Sequence, residues 1–183
     1  MERDRYTQIS RRELYRNPWV TLEAHEIFHP TGARGEHVLV VTPQSCGIVV
    51  EDGDDLLFTR QPRFAAAGQA IEIVKGGQHA GEALLDSAKR ELREELGVTA
   101  NHWSELGRLY EIPSIVTPPV LIFLARELQF GAAEPEGEES IGLVRLARDA
   151  AIDAALTGAI DDAVTIAALF RYAVANGTIV RRR

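Results

Sequence analysis

The segment between residues 76 and 98 constrains the fold of this chain more than any other part of the sequence. Its apolar residues recur three or four positions apart, which is the spacing of one face of an α-helix. They are Leu85, Ala88, Leu92 and Leu96. Gly97 follows the last of them, at the position where a left-handed helix cap favours glycine. The glycine-rich stretch GGQHAG precedes them, so the sequence predicts a tight loop, a helix and a second loop.

Three glutamates of this predicted helix, Glu91, Glu94 and Glu95, are spaced so that their side chains lie together beside the apolar face. Like charges at this spacing repel one another by a few tenths of a kcal/mol per pair, and the neighbouring Arg90 could relieve part of that repulsion. A solvated charged face is the alternative interpretation. The glycine-rich lead-in favours a metal site, because clustered carboxylates suit hard cations such as Mg²⁺ or Mn²⁺.

The whole segment resembles the Nudix box, whose pattern is Gly, five residues, Glu, seven residues, Arg-Glu-apolar-x-Glu-Glu-x-Gly-apolar. All the specified positions match: Gly76, Glu82, Arg90, Glu91, Leu92, Glu94, Glu95, Gly97 and Val98. With ordinary residue frequencies, a chance match is on the order of 10⁻¹⁰ per starting position. The resemblance implies an enzyme that uses a divalent metal to hydrolyse a nucleoside diphosphate linked to another group.

The resemblance also implies the ligands of that metal, which would be Mg²⁺, with Mn²⁺ as an alternative. Glu91 and Glu95 would be the main ligands, Glu94 would assist, and the backbone carbonyl of Lys75 would complete one metal's shell. The chain is acidic, with 27 Asp and Glu against 20 Lys and Arg. An acidic pocket would repel a pyrophosphate unless cations bridged the two, so the expected metal also resolves a charge conflict.

The catalytic group implied by the resemblance includes Glu94 and Arg90, with Arg90 expected mainly to organise the loop, helix and loop together with Glu82. The general base is expected in the acidic loop GAAEPEGEES, where we favour Glu139 first and Glu138 second. An ordinary solvated loop is the alternative interpretation of that stretch.

Sequences outside the box resemble the ADP-ribose pyrophosphatase branch of the family. Thr59-Arg60-Gln61-Pro62-Arg63 is similar to the Arg-Gln-x-Arg strand end of that branch, and Pro113 stands sixteen residues after Gly97. Arg63 would hold a substrate phosphate, which its planar guanidinium suits, with Arg60 as a second substrate-binding residue. The alternative is a surface arginine at the end of a strand.

Glu72, four residues before the box, is expected to lie near the metal or the substrate, with a solvated strand residue as the alternative. The sequence Glu72-Ile73-Val74-Lys75-Gly76 departs from the Glu-x-Pro-Ala-Gly that is frequent in the branch. A lysine at this place also occurs in the related ADP-compounds hydrolases. The substrate is therefore open: ADP-ribose or an ADP-sugar comes first, and NADH, a GDP-sugar or a diadenosine polyphosphate is the alternative.

Strand-like segments on both sides of the central helix, with two further helices at the end, predict a mixed α/β layer fold. The predicted strands are residues 38–42, 47–50, 56–59, 71–74, 106–110, 120–128 and 141–145, and the later helices are residues 148–156 and 163–175. Asp161 or Asp162 is expected to begin the last helix. The fold class is α/β and agrees with the Nudix α/β/α sandwich, which has a mixed sheet, preceded here by a small N-terminal β extension.

Two parts of the chain are expected: the β extension at residues 1–42, which would contact a second subunit, and the Nudix domain at residues 43–183. The extension would have little to pack against in a monomer, so a homodimer is expected. A charged N-terminus and the lack of a membrane-spanning apolar run predict a cytoplasmic protein without membrane or nucleic-acid partners. Cys46, in an apolar run, is expected to be a buried, inert thiol. A non-catalytic nucleotide sensor is disfavoured, because the carboxylates of the box are all present.

Overall fold

The computed structural model describes residues 5–134 and 140–179. Its strands are β1 (Thr7–Arg16), β2 (Thr21–Phe28), β3 (Arg34–Val41), β4 (Ser45–Asp52), β5 (Asp55–Arg63), β6 (Gly68–Glu72), β7 (Val74–Gly77), β8 (Val98–Leu109), β9 (Val116–Thr117), β10 (Val120–Phe130) and β11 (Gly142–Ala147). Its helices are α1 (Leu84–Leu96), α2 (Arg148–Thr157) and α3 (Ala163–Ala175). The chain divides into two compact units, which are described separately.

The first unit contains residues 5–44 and 110–119. It is a four-stranded sheet in the order β1-β2-β3-β9, with antiparallel pairing between the first three strands and parallel pairing between β3 and β9. All ten residues of β1 are exposed in the single chain. Both faces of this edge strand are therefore open. This explains why the sequence TQISRRELYR, inside the predicted β extension at residues 1–42, shows no simple apolar alternation that would mark the bounds of the strand.

The second unit is built on a mixed sheet in the order β11-β5-β4-β10-β8, to which β6 and β7 add by pairing with β5 and β4. Strands β4 and β10 run parallel, and the other pairs run antiparallel. Helix α1 packs on one face through an apolar cluster that includes Leu57 and Leu92. Helices α2 and α3 pack on the other face through a second cluster around Phe58 and Tyr172. The predicted mixed α/β/α sandwich is confirmed.

The central helix ends where the sequence predicted. Gly97 adopts the left-handed conformation with φ 65°, and its N–H donates to the Arg93 carbonyl. Strand β8 follows directly and is much longer than the predicted residues 106–110. Its first eight residues, VTANHWSE, are largely polar and half-exposed, so their pairing with β10 has no strong apolar signal in the sequence.

The predicted strand at residues 71–74 is two strands in the structure. Strand β6 pairs with β5, β7 pairs with β4, and Ile73 stands between them. The Ile73 N–H donates to the side-chain oxygen of Thr165 at 3.0 Å, so a buried side chain satisfies the backbone group at the break. This break brings Glu72 and Lys75 to the junction of two sheet segments.

Cys46 is fully buried, as predicted. Burial, together with the charge of the nearby Glu91, raises the pKa of its thiol to about 12, so the thiolate is not formed at neutral pH. Within residues 5–134 and 140–179, no helix combines the length and the apolar character needed to cross a bilayer.

We expect Gly97→Ala to destabilise the protein far more than Gly53→Ala, although both glycines have nearly the same φ, 65° and 64°. A Cβ on Gly53 would meet nothing within 4 Å, so its cost is the left-handed conformation alone, about 1 kcal/mol. A Cβ on Gly97 would stand 2.6 Å from backbone atoms of residues 131–133, and the added overpacking raises the expected loss to about 3 kcal/mol or more. Urea unfolding measures both values. Equal losses would contradict the close packing at Gly97.

Candidate functional site

Arg90 stands at the centre of the charged face of α1. Its guanidinium contacts Glu82 at 3.2 Å, Glu91 at 2.9 Å and Glu94 at 2.8 Å, and it donates to the Gly77 carbonyl at 2.9 Å. Burial alone would lower the pKa of Arg90, but these carboxylates outweigh it and raise the pKa above its ordinary value. The guanidinium therefore neutralises part of the repulsion between the glutamates and ties the helix to the preceding loop.

Glu82 fixes the loop in front of α1. Its carboxylate accepts from the Ser87 hydroxyl at 2.7 Å and from the His79 N–H at 3.2 Å, in addition to Arg90. The bond from Ser87, followed by the bond from Arg90, lowers the pKa of Glu82 to about 2. Ser87 was not singled out in the sequence, although a serine inside the helix start, five residues after the glutamate, is a pattern that could have indicated this bond.

The carboxylate of Glu91 lies directly against Gly76. A Cβ placed on Gly76 would stand 1.9 Å from the Glu91 carboxyl carbon and 2.0 Å from one of its oxygens. Only glycine leaves room for the carboxylate in this position. Glycine is thus required at the first position of the box pattern, because the Glu91 carboxylate occupies the space that a Cβ would need.

Glu94 and Glu95 complete the acidic face from the last turn of α1. Glu95 is buried, with 8% of its surface exposed, whereas Glu94 is half-buried against Arg90. The backbone carbonyl of Glu94 accepts from the N–H of Glu134 at 3.0 Å. The acidic loop therefore begins at the C-terminal end of the glutamate helix.

The donors near Gly76 fit a hard divalent cation. Within the described residues, no three or more His, Cys, Asp or Glu side chains are arranged to hold one ion. Mg²⁺ does not need such a cluster, because it is commonly held by one or two carboxylates, with waters and substrate phosphates as its other ligands. Glu91 against Gly76 and the buried Glu95, one turn further along α1, are carboxylates of this kind.

Arg63 and Glu72 form a second charged group beside this face. The Arg63 Nη2 donates to Glu72 Oε2 at 2.5 Å, and Nε lies 3.2 Å from both carboxylate oxygens. The pKa of Arg63 is raised, first by its hydrogen bond to Glu72 and then by the charges of Glu72, Glu95 and Asp162. Arg63 thus shares one electrostatic environment with Glu95. Glu72 is 4% exposed, so it is not the solvated strand residue considered as the alternative.

Lys75 joins this group to the start of α3. Its Nζ lies 2.9 Å from Asp162 Oδ1 and 3.3 Å from Glu72 Oε2. Asp162 caps α3 with its other oxygen, which accepts from the Thr165 N–H at 2.8 Å and from the Thr165 hydroxyl at 2.6 Å. Burial alone would raise the pKa of Asp162, but Lys75 and Thr165 outweigh it and lower the pKa below its ordinary value.

The sequence anticipated part of this arrangement. The sequence indicates Asp162 only as a helix start, and no pattern in it places Thr165 at the site. The spacing Asp-x-x-Thr at a helix start is typical of side-chain capping, but nothing in it indicates a contact with Lys75, 87 residues earlier.

Arg60, the second predicted substrate-binding arginine, lies apart from this group. Arg60 is exposed on β5 and differs from Arg63 by an odd number of residues, so the two side chains lie on opposite faces of the strand. Glu138 and Glu139, the candidates for the general base, lie outside the described residues.

The fold and this site together define a class of protein. It is an α/β/α sandwich in which a helix that carries several glutamates follows a glycine-rich loop and packs on one face of a mixed sheet. Residues 41–168 match the family model described as the NUDIX domain, which spans more than half of the chain. The chain belongs to the Nudix family.

Two known proteins with sequences similar to this chain are named as hydrolases of ADP-ribose or of ADP compounds. An ADP-ribose pyrophosphatase of Bacillus subtilis (strain 168) is 26% identical over 121 residues, which cover 66% of this chain and 65% of that protein, slightly under two thirds. The ADP compounds hydrolase NudE of Escherichia coli (strain K12) is 27% identical over 127 residues, 68% of each chain. A crystal structure of an ADP compounds hydrolase superposes with a TM-score of 0.82 over 95% of this chain and 97% of that one; at 23% identity this shows the fold alone.

We expect Glu82→Gln to destabilise the protein at neutral pH and to have less effect in acid. The pKa of Glu82 is lowered from 4.5 to about 2, so its stabilisation is fully present above pH 4.5 and is lost as the pH falls toward 2. The urea midpoints of the wild type and the variant should therefore converge over that range. Glu105→Gln, at an exposed position of β8, is the control. A separation that stays constant with pH would show that the Glu82 charge does not stabilise the fold.

Proposed function

We propose that this protein is a metal-dependent hydrolase of the pyrophosphate bond in a nucleoside diphosphate linked compound, with ADP-ribose or an ADP-sugar as the first candidate. The observation that carries the proposal is the seat of Glu91 against Gly76, with the buried Glu95 one turn further along the same helix. The names of the two relatives from B. subtilis and E. coli support the choice of substrate class.

Glu91, Glu95 and the Lys75 carbonyl would hold Mg²⁺ or Mn²⁺, and Glu94 would assist. When bound, such a cation neutralises developing negative charge, polarises the phosphorus centre and lowers the pKa of an attacking water. Arg90 keeps the glutamates in place through its contacts with Glu82, Glu91 and Glu94. The acidic helix face would become a site for an anionic substrate only with cations present.

Arg63 is the candidate phosphate ligand. Two of its nitrogens bind Glu72, and 41% of its side chain remains exposed. A guanidinium held on one edge by a carboxylate keeps its outer N–H groups directed away from that carboxylate, where they can bind phosphate oxygens in a fixed orientation. Arg60, whose exposed side chain lies on the opposite face of β5 from Arg63, remains a second candidate.

The reaction would be attack by water on one phosphorus of the pyrophosphate, giving AMP and a phosphorylated sugar. Glu139 is the first candidate for the general base and Glu138 the second. The hydrogen bond between Glu134 and the Glu94 carbonyl supports this assignment, because it anchors the beginning of the acidic loop at the end of the glutamate helix.

With Mg²⁺ present, we expect the wild type to hydrolyse ADP-ribose faster than ADP-glucose, NADH, diadenosine polyphosphates and GDP-mannose. Glu95→Gln should weaken Mn²⁺ binding and lower kcat by about 100-fold or more, because a bound metal contributes several kcal/mol of transition-state stabilisation. AMP release measures turnover, and electron paramagnetic resonance of Mn²⁺ measures binding.

Glu139→Gln distinguishes the role of general base from the role of metal ligand. It should keep Mn²⁺ affinity and lose about 100-fold in kcat, since general bases contribute at least that much. Glu134→Gln, earlier in the same loop, is the matched control. Full activity of Glu139→Gln at saturating metal would exclude Glu139 as the base. If another substrate is preferred, the reaction class stands and the ADP-ribose assignment is lost. The complete lack of turnover with either metal would favour a nucleotide sensor.

We also propose a homodimer formed through the first unit. Ile9, Leu14 and Tyr15 of β1 are 41%, 43% and 56% exposed in the single chain. An edge strand with apolar side chains and unpaired backbone groups is a surface that proteins ordinarily cover.

Sedimentation should give twice the chain mass of 20.2 kDa. Leu14→Glu should shift the protein toward monomer, because it places a charge in the apolar contact. Leu156→Glu, at a 79% exposed position of α2, should leave the mass unchanged. A wild-type monomer at micromolar concentration would rule out this interface.

A further inference from the structure

A continuous chain of charged contacts links the N-terminus of α3 to Arg63. It runs from Asp162 through Lys75 and Glu72, and all of these residues belong to the second unit. Asp162 is at the face covered by α3, whereas Glu72 directs its carboxylate to Arg63. This series of charged contacts therefore passes from one face of the sheet to the other at the break between β6 and β7.

The two oxygens of Asp162 have separate tasks. Oδ2 caps α3 by accepting from Thr165, and Oδ1 binds the Lys75 ammonium at 2.9 Å. A helix cap needs only an acceptor oxygen, which asparagine or serine supplies as well. The negative charge of Asp162 is thus needed for Lys75 and not for the cap.

Lys75 and Arg63 share one acceptor. Both approach Oε2 of Glu72, Arg63 at 2.5 Å and Lys75 at 3.3 Å. Lys75 lies closer to Asp162 than to Glu72, which leaves the Glu72 carboxylate mainly to Arg63. An ammonium released by Asp162 would move onto Glu72, since a 5% exposed carboxylate side chain attracts any cation within reach.

We propose that Asp162 is a positioning residue for substrate binding: it holds the Lys75 ammonium away from Glu72, so that Glu72 can orient the Arg63 guanidinium toward a substrate phosphate. The proposal rests on the proposed function for the identity of the ligand, a nucleoside diphosphate linked compound. Its structural part concerns Arg63 in the free protein and is testable without substrate or metal.

Asp162→Asn is the variant that isolates this effect. The asparagine oxygen keeps the cap on α3, while its NH₂ group faces the Lys75 ammonium and repels it. KM for the substrate should rise about tenfold, the effect of losing one charge-assisted hydrogen bond, with kcat changing less than KM. Asp161→Asn makes the same charge change at the exposed neighbouring position and should alter neither constant.

A second substitution distinguishes positioning from a structural tether. In the Asp162→Asn background, Lys75→Met removes the cation that competes with Arg63 for Glu72. The double variant should therefore have a lower KM than Asp162→Asn alone. If Asp162 and Lys75 only tether α3 to the sheet, the double variant would be no better than the single one, and the proposal would be wrong.

The Nε–H signal of Arg63 in ¹⁵N NMR reports on the same contact in the free protein, with Arg63→Lys used for its assignment. Asp162→Asn should speed the exchange of this proton with water, and Asp161→Asn should not. If the wild type hydrolyses none of the substrates, the proposed function fails, and this signal still decides whether Asp162 orients Arg63. Unchanged exchange in Asp162→Asn would overturn the inference. Asp162→Ser, which also keeps a cap, replaces Asp162→Asn if that variant does not fold.

Discussion

The contact of one guanidinium with three carboxylates determines the rest of the site. Without Arg90, the charges of Glu91 and Glu94 on the half-buried helix face would repel each other and the charge of Glu82 in the loop before it. Arg90 also reaches the Gly77 carbonyl, so the same group that balances the charge fixes the loop in front of the helix. The positions of Glu91 and Gly76, and with them the candidate cation site, depend on this contact.

The site is assembled from two charged groups with different origins. The group formed by Arg90 and the glutamates around it is local in sequence, since all its residues lie within one loop and one helix. The group of Arg63, Glu72, Lys75 and Asp162 is drawn from three strands, β5, β6 and β7, and from the N-terminus of α3. We interpret the first group as the metal site and the second as the phosphate-binding side. At the break in the sheet, Ile73 bonds to Thr165 of α3, and the N-cap residue Asp162 contacts Lys75 of the second group.

The difference between local and long-range contacts explains which features could be predicted from the sequence and which could not. Helix α1 and its cap at Gly97 follow from an apolar period and one glycine, both readable within a few residues, and the mixed sheet follows from apolar strands such as β4 and β10. The contact between Lys75 and Asp162 spans 87 residues and carries no local pattern, so it required the structure. Strand β1 lies inside the predicted β extension at residues 1–42, but its own bounds were not predicted, because both of its faces are exposed and the alternation that identifies a strand is weak there.

The close approach of Gly97 to residues 131–133 has a consequence for how this fold can diversify. Gly131 and Glu134 are both hydrogen-bonded to the end of α1, and Gly142 is paired with Arg60 on β5. The stretch between these two anchors begins and ends at fixed points, whatever lies between them. Because both ends are held, a change in the length of this stretch adds little loop-closure entropy. The end of α1 and the edge of the sheet at β5 are therefore held by contacts that do not depend on the residues between the two anchors.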